Sequence, residues 1–324
     1  MTDFSAVSAR ARGLKQHLFS KSELETLAGS EALVRALAHS GKLNVPENAS
    51  ATEVESSLQQ TVAQLRKTLA RWEGAAPILE VFDARSDRHS LRALLRGSLQ
   101  SAPAESRLAG LVATPTLPAR LMSELANQPT LRDVVSHLIV SGHPDGPRLA
   151  TITAEHAHPD LLQLELALVQ GLGERMRRAR GDAVLREFVR ETIDAANLVS
   201  AVRLSAAREF EAADCFVEGG AWFSRDAFFE VAKSRTPLDT LQTLLPHHPL
   251  LDGTTVDVRD LERRAERLQL SRLETRTREQ PSSSAPALVF MLRLEAMVHD
   301  VRGLAWGHLL ATPPDLVRST LVTP

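Results

Sequence analysis

The chain of 324 residues has no tyrosine, one cysteine and only 4% aromatic residues. A single cysteine, Cys215, excludes an intramolecular disulfide and a cysteine-based zinc cluster. Long apolar runs are also absent. The longest, near 285–292, is interrupted by Arg293 and Glu295, whereas a helix that spans a bilayer needs about 20 apolar residues. The sequence therefore predicts a soluble protein with no direct transmembrane segment.

An excess of charge of one sign is missing as well. The 38 lysines and arginines nearly balance 40 acidic residues, for a formal net charge of -2. Proteins that bind nucleic acid usually carry a basic excess, so no nucleic-acid partner is predicted. The first residues, MTDFSAVSARARGLKQ, place charges where a secretory signal would be apolar, which argues against a signal peptide.

Helical periodicity dominates the rest of the sequence, and alternating strand patterns of more than a few residues are hard to find. The breaks are short stretches rich in turn formers, such as SGHPDGP at 141–147 and QPSSSAP at 280–286. These patterns predict an all-α fold whose helices are joined by loops.

One spacing of polar and apolar residues recurs. It joins the following markers: Glu187, Asp194, Asn197, Leu198 and Arg203. The same spacing occurs 107 residues earlier, at Glu80, Asp87, Ser90, Leu91 and Arg96. A degraded third copy lies 103 residues further on, with Asp300 and Val301 in the Asn-Leu place and Trp306 in the arginine place.

Two other helical markers recur in step with this motif. A glutamate opens the preceding helix in each copy, at Glu55, Glu165 and Glu262. An apolar-Ala pair comes earlier still, at Leu27, Leu125 and Val231. Three markers in one order, three times, predict a threefold internal repeat of helical lobes. We place these lobes at 1–105, 106–207 and 208–324.

The acids of the motif could be structural or catalytic. On a helix, Glu187 and Asp194 lie within about 20° of each other, and Arg190 falls between them. We therefore expect a partly exposed polar seam with its own ion pairing, while Arg203 points away. The rival hypothesis is an α-helical enzyme that uses Glu187 and Asp194, but it needs a third ligand that the sequence does not supply.

Other candidates for chemistry are weak. They are two histidine pairs and one glycine pair: His156 with His158, His247 with His248, and Gly219 with Gly220. Zinc needs three or four ligands at recognisable spacing, and a phosphate-binding glycine loop should follow a strand. We predict no metal, no cofactor and no catalytic residue.

Four arginines share one helical face, because they follow one another at steps of three, four and four: Arg85, Arg88, Arg92 and Arg96. Arginine pairs well with carboxylates and phosphates. This face could contact an acidic partner surface or lipid headgroups. The alternative is a solvated face whose positive charge is reduced by Asp83 and Asp87.

The repeat and its motifs resemble the C subunit of the V/A-type rotary ATPases, whose eukaryotic counterpart is the d subunit of the V-ATPase. The resemblance covers essentially the whole chain and rests on these segments: DAANLVSAVR, DRHSLRALLR, FVEGGAWFSRDAFFEVA and FMLRLEAMVHDVRGLAWGHLLATPPDLVRSTLV. The last departs from the family pattern, because Met297 replaces the second acid and Asp300-Val301-Arg302 replaces the Asn-Leu-Arg centre.

The resemblance implies a funnel of three similar lobes around a pseudo-threefold axis. Such a protein is a non-catalytic socket on the membrane proteolipid ring. It receives the tip of the central shaft, transmits torque, and lies on the cytoplasmic face of the membrane through the complex. The alternative is a helical scaffold of another assembly that shares the repeat but not the ring.

Overall fold

A computed structural model describes residues 3–156, 159–207, 215–251 and 258–323. Every regular element in these ranges is a helix, which confirms the predicted all-α class. The α-helices are α1 (Ser5–Leu14), α2 (Lys21–Ala28), α3 (Leu33–His39), α4 (Ala51–Ala70), α5 (Ala75–Leu99), α6 (Ala104–Leu108), α7 (Ala119–Ala126), α8 (Leu131–Val140), α9 (Gly146–Glu155), α10 (Leu161–Arg178), α11 (Ala183–Ala206), α12 (Arg225–Lys233), α13 (Pro237–Leu244), α14 (Val258–Glu279), α15 (Ala285–Leu309) and α16 (Pro314–Thr320).

Several helices begin where a local polar residue satisfies the first backbone N–H groups. Ser20 and Ser50 each form a capping box with the glutamate three residues later. The side chains of Asp182 and Ser224 accept the N–H groups of the third residues of α11 and α12. These starts are therefore fixed by adjacent sequence.

The chain forms two compact units. One comprises Met1–Leu79 and Leu270–Pro324, and the other comprises Glu80–Gln269. Their limits fall within α5 and α14. The three lobes at 1–105, 106–207 and 208–324 stay a prediction.

In the first unit, α15 packs against α1, α4, α2, α3 and α16. Its first eight residues, 285–292, are all buried, so this stretch is apolar on every side because neighbours cover every side. Among the described helices, none is long and apolar enough to cross a membrane.

The described residues of the second unit form two apolar cores. One lies among α5 and the helices from α7 to α10, and includes Leu94, Leu125 and Leu138. The other lies around α11, α12 and α13, and includes Leu198, Phe228 and Leu241. The rings of Phe82 and Phe188 stack with centroids 5.8 Å apart, which joins α5 to α11.

The last turns of α5 and α15 are built alike, at positions 210 residues apart. Ser101 and Ala311 both have φ 50°, a left-handed conformation that ends a helix. The N–H of the following residue donates to the carbonyl of Gly97 in one helix and of Gly307 in the other, each at 2.8 Å. A residue of the next helix then packs over each glycine. These matching ends extend the sequence repeat to features that the marker residues did not include.

Candidate functional site

Asp194 holds a loop rather than lining a surface seam. It is fully buried, and its carboxylate accepts the backbone N–H groups of Ala221, Trp222 and Phe223 at 2.6–3.1 Å. Arg190 instead donates from Nε to the carbonyl of Gly220 at 3.4 Å. The expected partly exposed seam is therefore wrong for Asp194, because periodicity shows which residues share a face but not which loop covers it.

The close approach of this loop depends on glycine. A β-carbon at Gly220 would collide with the carboxylate of Asp194, so any larger residue would push the loop away. Burial raises the pKa of Asp194, although the three N–H groups and Arg190 oppose that effect. The carboxylate thus accepts hydrogen bonds from the backbone of its own chain.

Asp87, the equivalent acid on α5, holds a loop at the same distance along the chain. Thr114 and Thr116, which lie 27 and 29 residues on, donate their hydroxyls to its two oxygens. The three N–H groups that Asp194 binds lie 27 to 29 residues after it. Arg175 adds an ion pair to Asp87 at 2.7 Å. In two copies of the motif, the acid therefore binds a loop 27 to 29 residues further on, through hydroxyl groups in one copy and backbone N–H groups in the other.

A second acid and a histidine complete a buried cluster around Asp87. His143 Nδ1 accepts the N–H of Asp145 at 3.2 Å, and its Nε2 lies 3.6 Å from Asp87, too far for a hydrogen bond. Burial pushes the pKa of Asp87 upward, but His143, Arg175 and the threonines outweigh it and lower the pKa overall. Burial raises the pKa of Asp145, and His143 and Arg175 offset this only in part.

The opposite pKa shifts give a prediction for Asp145→Asn. A carboxyl group whose pKa is raised on folding contributes most to the protein's stability below its unfolded pKa. That contribution is lost as pH rises through its folded pKa. The variant should therefore match the wild type near pH 3 and exceed its stability at pH 7, by on the order of 1 kcal/mol. Urea unfolding at a series of pH values measures this difference. A variant that becomes less stable than wild type as pH rises would show that Arg175 dominates at Asp145.

The central residue of each motif copy also binds backbone, 20 to 23 residues further along the chain. Asn197 bonds both the N–H and the carbonyl of Val217 at 2.9 and 2.8 Å. Ser90 reaches the N–H of Val112 at 3.3 Å. Asp300 accepts the N–H groups of 322 and 323 at 2.8 Å each. Three different side chains at one motif position thus fix the return of the chain.

The third copy is simpler. Met297 stands where Asp87 and Asp194 stand in the other copies, and it is buried. Asp300 is also buried. Burial pushes the pKa of Asp300 upward, but hydrogen bonds from His299 and from the backbone at 322 and 323 lower it overall. This copy therefore lacks the buried acid that holds a loop in the other two copies.

The structure separates the two acids of the enzyme hypothesis. Glu187 is exposed, as is its equivalent Glu80, whereas Asp194 is fully buried and bonded to backbone. Within the described residues, no group of three histidine, cysteine or acidic side chains is placed to hold a metal ion. His158, half of one predicted pair, lies outside the described residues. Glu187 and Asp194 are therefore not brought together for chemistry.

The predicted arginine face is engaged inside the molecule. Each of its four side chains forms an ion pair: Arg85 with Glu266, Arg88 with Glu262, and both Arg92 and Arg96 with Glu165. Whether the arginines also contact a partner stays a hypothesis.

Glu165 is the residue whose role the sequence did not indicate. It is nearly buried, and its two oxygens accept Arg92 Nε and Arg203 Nη1 at 2.7 Å each. The sequence marked it only as one of the three repeated glutamates, a lone acid among the leucines of LQLELALVQ. In the first unit, the equivalent Glu55 receives a two-pronged contact from Arg302 at 2.7–3.2 Å. The marker glutamates therefore anchor arginines of the motif helices.

Comparison with known proteins finds a matching family and a similar sequence. The ATP synthase (C/AC39) subunit family matches residues 7–320. The chain belongs to this family. It is also 25% identical over 293 residues to a Haloferax volcanii protein named as the C subunit of an A-type ATP synthase, covering 83% of this chain and 81% of that one.

Membership in the C/AC39 family confirms the resemblance drawn from the ordered motifs. The match includes the third motif copy, in which Met297 and Asp300 depart from the other two copies. The family is one of ATP synthase subunits, so the chain is a component of a larger complex.

Proposed function

We propose that this chain is a non-catalytic central-stalk subunit of a V/A-type ATPase or ATP synthase. In this role it is the socket between the central shaft and the membrane proteolipid ring, and it transmits torque between them. The observation that carries the proposal is the family match over residues 7–320. Its location would be the cytoplasmic face of the membrane, to which its partners hold it.

The use of the motif residues supports a mechanical role. Asp87, Asp194, Asn197 and Asp300 all bind segments of their own chain, and these contacts fix helices to returning loops. A protein that carries torque must keep its shape under load, and buried polar contacts that are fully bonded rigidify a fold. The same contacts leave these carboxylates without access to a substrate.

The test is to deplete this chain from membranes that contain the intact complex, and then to measure ATP hydrolysis and ion pumping side by side. Hydrolysis should continue while pumping falls to the background of uncoupled membranes, because the catalytic head and the ring lose their mechanical link. Adding back the wild-type chain should restore pumping. Pumping that persists at its normal ratio to hydrolysis would reject the socket role and favour a scaffold of another assembly.

A further inference from the structure

Four arginines in the second unit share two glutamates in one continuous network. Glu165 pairs with Arg92, Arg96 and Arg203, and Glu262 pairs with Arg88 and Arg203. We call these six residues the arginine network. It contains two more positive than negative charges, and its members are only partly exposed. In this partly water-excluded position, the positive charges of neighbouring arginines repel each other more strongly than they would in water.

Among the described residues, the two carboxylates use only part of the hydrogen-bonding capacity of the four guanidinium groups. A guanidinium has five N–H donors. The contacts at Glu165 include two tight bonds of 2.7 Å. The rest of the network is loose: Arg88 lies 3.4 Å and Arg203 3.8 Å from Glu262, and Arg96 lies 3.6 Å from Glu165. Arg96 is also the most exposed of the four, at 48%.

At the corresponding position in the first unit, positive and negative charges are equal in number. There Glu55 pairs with Arg302 through three contacts of 2.7–3.2 Å. Trp306 takes the motif position that Arg96 and Arg203 occupy in the other copies. The excess of positive charge is therefore a feature of the arginine network and does not follow from the repeat itself.

We propose that the arginine network is a binding site for the carboxylate side chains of an acidic protein segment. The network already binds two carboxylates of its own chain, and the planar fork of arginine matches that group in two-pronged geometry. A third carboxylate would bond Arg96 and relieve the repulsion among its neighbours. Assigning the segment to the central shaft rests on the proposed function, whereas the site itself does not.

The site can be tested with the purified full-length chain and a labelled peptide of alternating glutamate and alanine, by fluorescence anisotropy at low salt. The peptide should bind saturably, bind less tightly at higher salt, and raise the melting temperature. Arg96→Gln should weaken binding about three- to fivefold. The matched control, Arg120→Gln, removes a positive charge that is 89% exposed on α7 and should change the affinity less than about twofold.

A second variant should act in the opposite direction. Glu262→Gln removes a competing carboxylate from the network and should strengthen peptide binding about threefold. Its control is Asp315→Asn, which removes an acid that is 94% exposed in α16. If Arg96→Gln changes the affinity no more than Arg120→Gln, and Glu262→Gln no more than Asp315→Asn, binding is non-specific and the site is rejected.

Two further outcomes would overturn the proposal. One is the absence of saturable peptide binding by the wild-type chain at low salt. The other is Arg96-dependent binding to vesicles of anionic phospholipid with no binding to the peptide, which would identify a lipid site. The coupling test has a separate readout. If the peptide binds but ion pumping stays coupled to ATP hydrolysis after this chain is depleted, the proposed function is rejected and the binding site is retained.

Discussion

Replacing Asp194 with alanine is expected to lower the free energy of unfolding by about 3–5 kcal/mol. The variant would leave the N–H groups of Ala221, Trp222 and Phe223 without the fully buried carboxylate that accepts them. An exposed ion pair at this position would give a loss on the order of 1 kcal/mol. Equilibrium unfolding in urea distinguishes the two values.

Two variants serve as controls for Asp194→Ala. Glu187→Ala removes an exposed acid from the same helix and should change stability by no more than about 0.5 kcal/mol. Asp194→Asn keeps one carbonyl oxygen that can accept N–H groups, so its loss should be intermediate. Similar small losses for Glu187→Ala and Asp194→Ala would contradict the loop-holding role. Unchanged stability with lost complex assembly would identify Asp194 as a partner contact.

Glu165→Ala is expected to destabilise the second unit by about 3–4 kcal/mol. The carboxylate lies between Arg92 and Arg203, so its removal leaves Arg92 without its counter-ion and Arg203 with only Glu262, 3.8 Å away. Removing one partner of a buried pair costs more than the pair contributes, because the remaining charge stays poorly hydrated. The measurement is the free energy of unfolding of wild type and variant.

Salt and a double variant make this second prediction specific. High salt should reduce the difference between Glu165→Ala and wild type, since ions screen repulsion between partly exposed arginines. Adding Arg92→Met to Glu165→Ala should recover part of the stability because it removes one of the unpaired charges. If the double variant is less stable than Glu165→Ala by the full effect of Arg92→Met in wild type, the two residues do not interact.

The all-α class and the motif order could be predicted from the sequence because both arise from local patterns. Helical periodicity specifies the elements, and residues such as Ser50 and Asp182 specify where helices begin. The spacing of Asp87, Asp194 and their neighbours revealed the repeat, since copied helices retain the order of their markers. The family could therefore be recognised before any contact was known.

The partners of those markers could not be predicted in the same way. Asp194 and Glu187 share a helical face, yet one is fully buried under a loop and the other is exposed. Thr114 and Thr116, which bind Asp87, carry no motif that would have marked them. Periodicity gives the direction of a side chain around its own helix, but it contains no information on which distant segment returns to cover it.

The sequence by itself determined the helices, their caps and the repeated order of polar markers, because these depend on residues close together in the chain. Only the tertiary structure decided that Asp194 binds three backbone N–H groups and that Glu165 binds arginines from two helices. Those choices bring together residues up to 73 positions apart. Burial then sets their energies, since a carboxylate removed from water must find its hydrogen-bond donors within the fold.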